Sequence, residues 1–186
     1  DYPAELDIPF PFSLVSNDVS NNVLQIMPAY WLMYNQFALE RNAWKYEARD
    51  KRSEKTQHLE SHYLAPDTVN SMFKSLSLLE LLSGILYCKL HHPGRTFSDA
   101  EYQSFGIVYL TQETVKPTAL ILEKHTFENG SRPVKILKPA EAYKAYRDYI
   151  TYYAFDILID HYRRNPGLTK ADFIKMLTPI AERQEF

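Results

Sequence analysis

The segment DTVNSMFKSLSLLELLSGILYCK, Asp67 to Lys89, decides the fold that the sequence predicts. Its apolar residues recur at i, i+3, i+4 and i+7, the spacing of one face of an α-helix. Leu78 and Leu81 widen that face, and a helix that is apolar on so many sides is typical of the centre of a domain. Asp67 follows Pro66 and is predicted to cap the helix N-terminus. We therefore expect a central helix on which the other elements pack.

Upstream of this helix, the segment PAYWLMYNQFALERNAWKYEARDKR predicts a second long helix, from Pro28 to about Asp50. Proline suits the first helical position, because its missing N–H has no partner there in any case. Apolar residues are dense in the first half of the segment and sparse in the second. The pattern indicates a helix that starts in the core and ends in solvent.

Downstream of it, helix-capping signals predict three more helices. A serine or threonine followed three residues later by an acidic residue is the pattern of a capping box. The first is capped by Ser98 with Glu101 and runs to about Leu110. The second begins with Pro139 and runs to about Arg164, and the last is capped by Thr169 with Asp172.

Between the helix that begins at Ser98 and the helix that begins at Pro139, the spacing of apolar residues no longer follows a helix. The run TALILEKHTFENGSRPVKILKP reads as two β-strands joined at Asn129–Gly130, a strong hairpin signal. Residues 1–22 contain three prolines and polar breaks, which favour an extended arm lying on another surface. The expected fold class is thus mainly α: about five helices, a small β-hairpin around residues 119–138 and an extended N-terminal arm. We expect one helix-rich domain over residues 1–186, part of a longer chain, with helical parts at 23–111 and 139–183.

Composition excludes several function classes. The chain has 186 residues, 45% of them hydrophobic, and a net charge of −2 from 21 basic and 23 acidic residues. That balance gives no general attraction to nucleic acid or to an anionic membrane. A single cysteine, Cys88, excludes an internal disulfide and a multi-cysteine zinc site. The stretch from Leu78 to Leu90 is too polar and too short to predict a membrane span. A single cysteine, by default a buried and inert thiol, fits the cytosol, and we expect a cytoplasmic protein.

No catalytic or metal-binding motif is present. The sequence lacks G-x-S-x-G, a P-loop and G-x-G-x-x-G, and it has only five glycines. HLESH puts Glu60 two residues after His58, whereas the zinc-protease helix requires the glutamate directly after the first histidine. The sequence therefore predicts no catalytic residue, no metal ligand and no cofactor.

The remaining candidate is a row of cations on the first long helix. Arg41, Lys45, Arg49 and Arg52 follow one another at spacings of 4, 4 and 3, with Trp44 beside them. Such a row could bind the phosphate of a sugar nucleotide, with Trp44 stacking on its ring. It could equally be a solvated helix face whose cations favour the C-terminal end of the helix dipole. The second interpretation is favoured, since carboxylates are close in sequence: Glu40, Glu47 and Asp50.

Four segments carry a family resemblance: FPFSLVSND, IMPAYWLMYNQFALERNAWKYEARDKR, YLAPDTV and ENGSRPVKILKPAEAYKAYRDYITYYA. Together they resemble the region that follows a left-handed β-helix in large bacterial hexapeptide-repeat proteins of uncharacterised function. The resemblance covers Phe10 to Ala154. It implies that the β-helix part of such a protein would be similar to sugar-nucleotide acyltransferases and nucleotidyltransferases. This chain has no six-residue repeat, so no catalytic residue can be transferred to it.

Two functions are therefore expected to compete. The first is a non-catalytic helical accessory or assembly domain that packs on the β-helix of the same chain or on a homo-oligomer partner. The second is a domain that contributes binding residues for a phosphate or sugar nucleotide to a transferase site. The expected partners include neither nucleic acid nor membrane.

Overall fold

The computed structural model describes residues 6–54, 56–57, 60–112, 116–123, 126–128, 132–167 and 169–172. The chain divides into two compact units, Asp1–Ile150 and Thr151–Phe186. The elements in chain order are β1 (Leu14–Asp18), β2 (Val23–Met27), α1 (Tyr30–Tyr34), α2 (Gln36–Arg49), α3 (Pro66–His91), α4 (Asp99–Thr111), β3 (Ala119–Leu122), β4 (Val134–Leu137) and α5 (Pro139–Arg164).

The four strands form one mixed sheet in the order β1-β2-β4-β3. The two outer pairs are antiparallel, and the central pair, β2 and β4, is parallel with Leu24 opposite Val134 and Ile26 opposite Ile136. Successive side chains of a strand point to opposite faces of the sheet. Because these four residues and Leu120 are almost completely buried and share one face, the sheet has a single core-facing side.

The predicted fold class is wrong. The two β runs at 119–138 do pair, but they form half of a four-stranded sheet, so the fold is mixed α/β rather than mainly α with a small hairpin. The other half comes from the predicted arm, which contains β1, and from β2. Short apolar runs do not distinguish a strand from the approach to a helix. The parallel partner of β2 also lies more than a hundred residues away, where no local pattern could indicate it.

The N-terminal segment is held in place by the core. Phe10 is buried edge-to-face against Phe127, and the Ser75 hydroxyl on α3 donates to the Pro9 carbonyl at 2.8 Å. Further along, the Tyr146 hydroxyl on α5 donates to the Pro11 carbonyl at 2.7 Å. Residues 9–11 of the predicted arm are therefore held against other residues of the same unit, while residues 1–5 of that arm lie outside the described residues.

The long helix expected from Pro28 to Asp50 is two helices. Ala29 precedes α1 with φ 55°, and Asn35 separates α1 from α2 with φ −146° and ψ 38°. Asparagine often leaves the helical conformation because its side chain can bond the local backbone.

The other helices follow the sequence closely. The α4 capping box is confirmed, with the Ser98 hydroxyl accepting from the Glu101 amide and the Glu101 carboxylate accepting from the Ser98 amide. Helix α5 has the predicted bounds. Helix α3 is capped by Ala65 and Thr68 rather than by Asp67, which lies in its first turn. The Thr169–Asp172 cap is formed, while the body of the last predicted helix lies outside the described residues.

Helices α3 and α4 touch at two glycines. A Cβ at Gly84 would lie 1.7 Å from the Tyr102 carbonyl oxygen, and one at Gly106 would lie 1.8 Å from the Glu80 carbonyl oxygen. A side chain at either position would overlap the backbone of the other helix, so the close packing of α3 on α4 requires glycine at both positions.

Candidate functional site

Helix α2 is the most exposed element of the first unit, and Ala43 is its one buried residue with a described side chain. The helix follows a break and precedes the polar segment 50–65, so its surface is free on several sides. It presents two distinct exposed features, one basic and one aromatic.

The first feature is an open groove of about 690 Å³ at the C-terminal end of α2. We call it the α2 basic groove. Its lining residues are Asn42, Lys45, Tyr46, Arg49, Asp50, Lys51 and Arg52. Four of these are cations and one is a carboxylate, so the groove is positive although the whole chain has a net charge of −2.

One cation in the groove is fixed by neighbouring groups. The Arg52 guanidinium binds Asp50 in a bidentate pair, with Nε–Oδ1 and Nη2–Oδ2 distances of 2.8 Å each. Its Nη1 donates to the Gln57 carbonyl at 3.2 Å. The hydrogen bonds to Asp50 raise the pKa of Arg52. Arg52 is therefore held rigidly, and most of its charge is compensated.

The other cations are not held in this way. Lys45, Arg49 and Lys51 make no hydrogen bond or ion pair with the residues that the structure describes. Their charges are available to an anion from outside the chain.

The structure does not bring all the predicted binding residues together: some lie on a second face of α2, and Arg52 lies beyond the end of that helix. Lys45, Arg49 and Arg52 line the groove, whereas Arg41 and Trp44 do not. A helix turns about 100° per residue, so Trp44 points well away from its neighbour Lys45. The sequence reasoning missed Asn42 and Tyr46, although Asn42, Tyr46 and Arg49 follow the i, i+4, i+7 rule and could have been found by it. It also missed Lys51, which lies beyond the helix end, where periodicity gives no information.

The second feature is an exposed stripe on the other face of α2. Phe37, Arg41, Trp44 and Ala48 are all exposed, and their spacing of 4, 3 and 4 puts them on one side of the helix. We call these four residues the α2 aromatic stripe. Phe37 is 75% exposed and Trp44 is 66% exposed. Aromatic side chains expose a large apolar area, so the stripe is a surface suited to burial by a partner.

Titratable groups elsewhere include a hydrogen-bonded pair between α5 and α3 and a buried thiol. The Tyr143 hydroxyl donates to the Glu80 carboxylate at 2.7 Å, and the Arg147 guanidinium lies 5.8 Å from the Tyr143 ring centre. Burial raises the pKa of Glu80, and burial together with the Glu80 bond raises the pKa of Tyr143 to about 12. Burial also raises the pKa of the Cys88 thiol, which keeps this free, buried cysteine protonated.

The structure describes only part of the HLESH segment, for which the sequence predicts no metal site. Within the described ranges, no three histidine, cysteine or acidic side chains come close enough to hold a metal ion. His58 lies outside those ranges, so the HLESH segment is not described as a whole.

Helix α3 is long and apolar enough to cross a membrane by length and composition, with a mean hydropathy of 1.2 over its best window. It contacts α4 and β3, and Met72, Leu79 and Cys88 are among its buried residues. A third of that window is buried, and the core helix of a domain can pass the same length and composition test, so one such helix is weak evidence for a membrane span.

Comparison with known proteins gives one relative. The sequence is 40% identical over 163 residues to an uncharacterized protein of Treponema pallidum (strain Nichols). The match covers 88% of this chain but 21% of the relative, so the chain spans about a fifth of the length of the relative that it matches. No protein-family model matches the sequence. No solved structure gives a significant match.

Proposed function

We propose that this chain is a non-catalytic accessory or assembly domain of a longer cytoplasmic, hexapeptide-repeat polypeptide of the sugar-nucleotide transferase-like kind. Its partner is the β-helix domain of the same polypeptide, and the α2 aromatic stripe is the surface that docks on it. The observation that carries the proposal is the exposure of Phe37 and Trp44 on one face of a helix.

The energetics favour docking over permanent exposure. Fully burying one large apolar side chain contributes roughly 1.5–3 kcal/mol. Phe37 is 75% and Trp44 is 66% exposed, so covering both is worth about 2–4 kcal/mol before the cost of association. That cost is low when both partners belong to one polypeptide, because the tether supplies a high effective concentration. The relative is about five times longer than its match to this chain, which supports a partner in the same polypeptide.

Non-catalytic character is supported by the chemistry of the described residues. Tyr143 is buried, and its hydroxyl bonds the half-buried Glu80, so this pair joins α5 to α3. The hexapeptide-repeat context is supported by the resemblance of the four quoted segments.

Trp44 fluorescence tests the proposal directly. In a Trp31→Phe background, Trp44 is the only tryptophan of this chain. We expect acrylamide to quench its emission strongly in the isolated chain and weakly in the full-length polypeptide, after subtraction of the same full-length protein carrying Trp44→Phe. Substitution of Phe37 by aspartate should restore strong quenching in the full-length protein. The control is Val19→Asp, at a site that is 79% exposed in the β1–β2 turn, and it should have no effect.

Two results would contradict the proposal. Equal quenching of Trp44 in the isolated chain and in the full-length polypeptide would show that the stripe stays exposed. Protection that appears in the isolated chain as its concentration rises would mean that the stripe binds a second copy rather than a β-helix.

A further inference from the structure

The α2 basic groove concentrates positive charge in a chain that is otherwise slightly acidic. Lys45, Arg49, Lys51 and Arg52 surround the single carboxylate of Asp50, which gives a local net charge of +3. The chain as a whole carries −2. Like charges at such a density repel one another, so a site of this kind gains stability when an anion occupies it.

The groove combines a fixed cation with three available ones. Arg52 is locked by Asp50 and by the Gln57 carbonyl, so it forms a rigid edge. Lys45 and Arg49 are one turn apart on α2, and Lys51 lies just beyond the helix end. An arginine guanidinium can bind two phosphate oxygens at once, and lysine ammonium groups beside it add point charges.

The helix dipole offers a simpler reason for some of this charge. The C-terminal end of a helix carries about half a negative charge, which favours a nearby cation and disfavours an anion. One cation satisfies that preference, and Arg49 in the last turn of α2 is such a cation. The net charge of +3 is several times larger than the dipole charge, so the groove remains attractive to an anion.

We propose that the α2 basic groove binds a diphosphate group, as found in inorganic pyrophosphate and in nucleoside diphosphates. A diphosphate ester carries about three negative charges at neutral pH, which matches the local charge of the groove. The groove volume of about 690 Å³ is in the range of small-molecule sites. Tyr46 lines the same groove and offers an aromatic face to the ring of a nucleoside.

Titration of the purified chain with inorganic pyrophosphate and with ADP, by isothermal calorimetry at low salt, tests the inference. We expect both ligands to bind, with affinity that falls as salt is added because the charges are screened. Replacing Lys45 and Arg49 together with alanine should weaken pyrophosphate binding at least tenfold. Both side chains lack described bonding partners, so the melting temperature should stay the same and separate lost binding from lost folding.

A matched control removes the same charge elsewhere. Lys89→Ala with Arg95→Ala also deletes one lysine and one arginine, both exposed and outside the groove. Pyrophosphate affinity should stay within twofold of that of the unmodified chain. Absence of pyrophosphate binding to the unmodified chain, or equal weakening in the groove variant and in this control, would overturn the inference.

Two further arms identify the source of the diphosphate. Tyr46→Ala should weaken ADP binding severalfold and leave pyrophosphate binding unchanged. Equal effects on the two ligands would show that Tyr46 does not contact the nucleoside. A single-stranded oligonucleotide that binds more tightly than ADP, with a steep salt dependence, would overturn the diphosphate assignment in favour of nucleic acid.

This site is independent of the docking proposal. The Phe37→Asp change disrupts the aromatic stripe and should leave pyrophosphate affinity unchanged, since Phe37 does not line the groove. Failure of one proposal therefore leaves the other standing.

Discussion

Replacing Tyr146 with phenylalanine removes a hydroxyl on which two chain segments depend. Tyr146 is completely buried on α5. Its hydroxyl donates to the Pro11 carbonyl at 2.7 Å and accepts from the Ala29 amide at 3.1 Å. These bonds attach α5 to the segment before β1 and to the turn between β2 and α1. Burial raises the pKa of the Tyr146 phenol, so the hydroxyl stays protonated and keeps its donor.

The size of the effect follows from the groups left behind. Phenylalanine keeps the ring packing, but the Ala29 amide, itself fully buried, loses its partner. An unsatisfied buried donor costs about 1–3 kcal/mol, and the lost bond to the Pro11 carbonyl adds about 1 kcal/mol. Ala29 also has φ 55°, a left-handed conformation that costs about 1–2 kcal/mol and that the bond from Tyr146 helps to maintain. We expect a total loss of about 2–4 kcal/mol in the free energy of unfolding.

Urea denaturation followed by tryptophan fluorescence measures this loss, and a thermal melt should show a decrease of roughly 5–12 °C for a chain of this size. Tyr152→Phe is the matched control, because Tyr152 is about half exposed on the same helix, and it should change the free energy by less than about 0.5 kcal/mol. Hydrogen exchange should also show lost protection at the Ala29 amide. A Tyr146→Phe variant as stable as the Tyr152→Phe control would refute the assigned role of the hydroxyl.

Two other predictions concern α3. Gly84→Ala would place a Cβ 1.7 Å from the Tyr102 carbonyl oxygen, so α3 and α4 must separate. We expect unfolding experiments to show a loss of about 3 kcal/mol or more in the free energy of unfolding. The control is Gly167→Ala, which has open space around it and should be nearly neutral. Burial is the chief reason why the pKa of Glu80 is raised above its ordinary value of 4.5. As the pH rises from 4.5 towards the folded-state pKa, the unfolded chain loses this proton before the folded chain does, so the free energy of unfolding decreases. Glu80→Gln keeps an acceptor for Tyr143 and should flatten that part of the stability–pH profile; an unchanged profile would contradict this assignment.

The candidate site was only partly accessible to sequence reasoning. Spacing along one helix found Lys45 and Arg49, which do line the α2 basic groove, and it found them because a helix repeats every 3.6 residues. The same reasoning added Trp44 as a stacking partner because it is adjacent in sequence. Tyr46 is adjacent to Lys45 as well, and it is the aromatic residue that lines the groove, because its spacing of 4 from Asn42 and 3 from Arg49 puts it on the groove side of α2.

The tyrosines of α5 show the same division. Tyr143 and Tyr146 are three residues apart, the spacing of one helix face, and both are buried. Their partners, the Glu80 carboxylate and the backbone of Pro11 and Ala29, lie far away in the chain and could not be named in advance.

The sequence by itself determined the helices α3, α4 and α5, because capping residues and apolar periodicity act over a few neighbouring residues. Only the tertiary structure decided that β1 and β2 join β3 and β4 in one sheet, and that Asn35 divides the first long helix. Strand pairing depends on hydrogen bonds between segments distant in the chain, as Leu24 opposite Val134 shows, and a one-dimensional pattern carries little information about such partners.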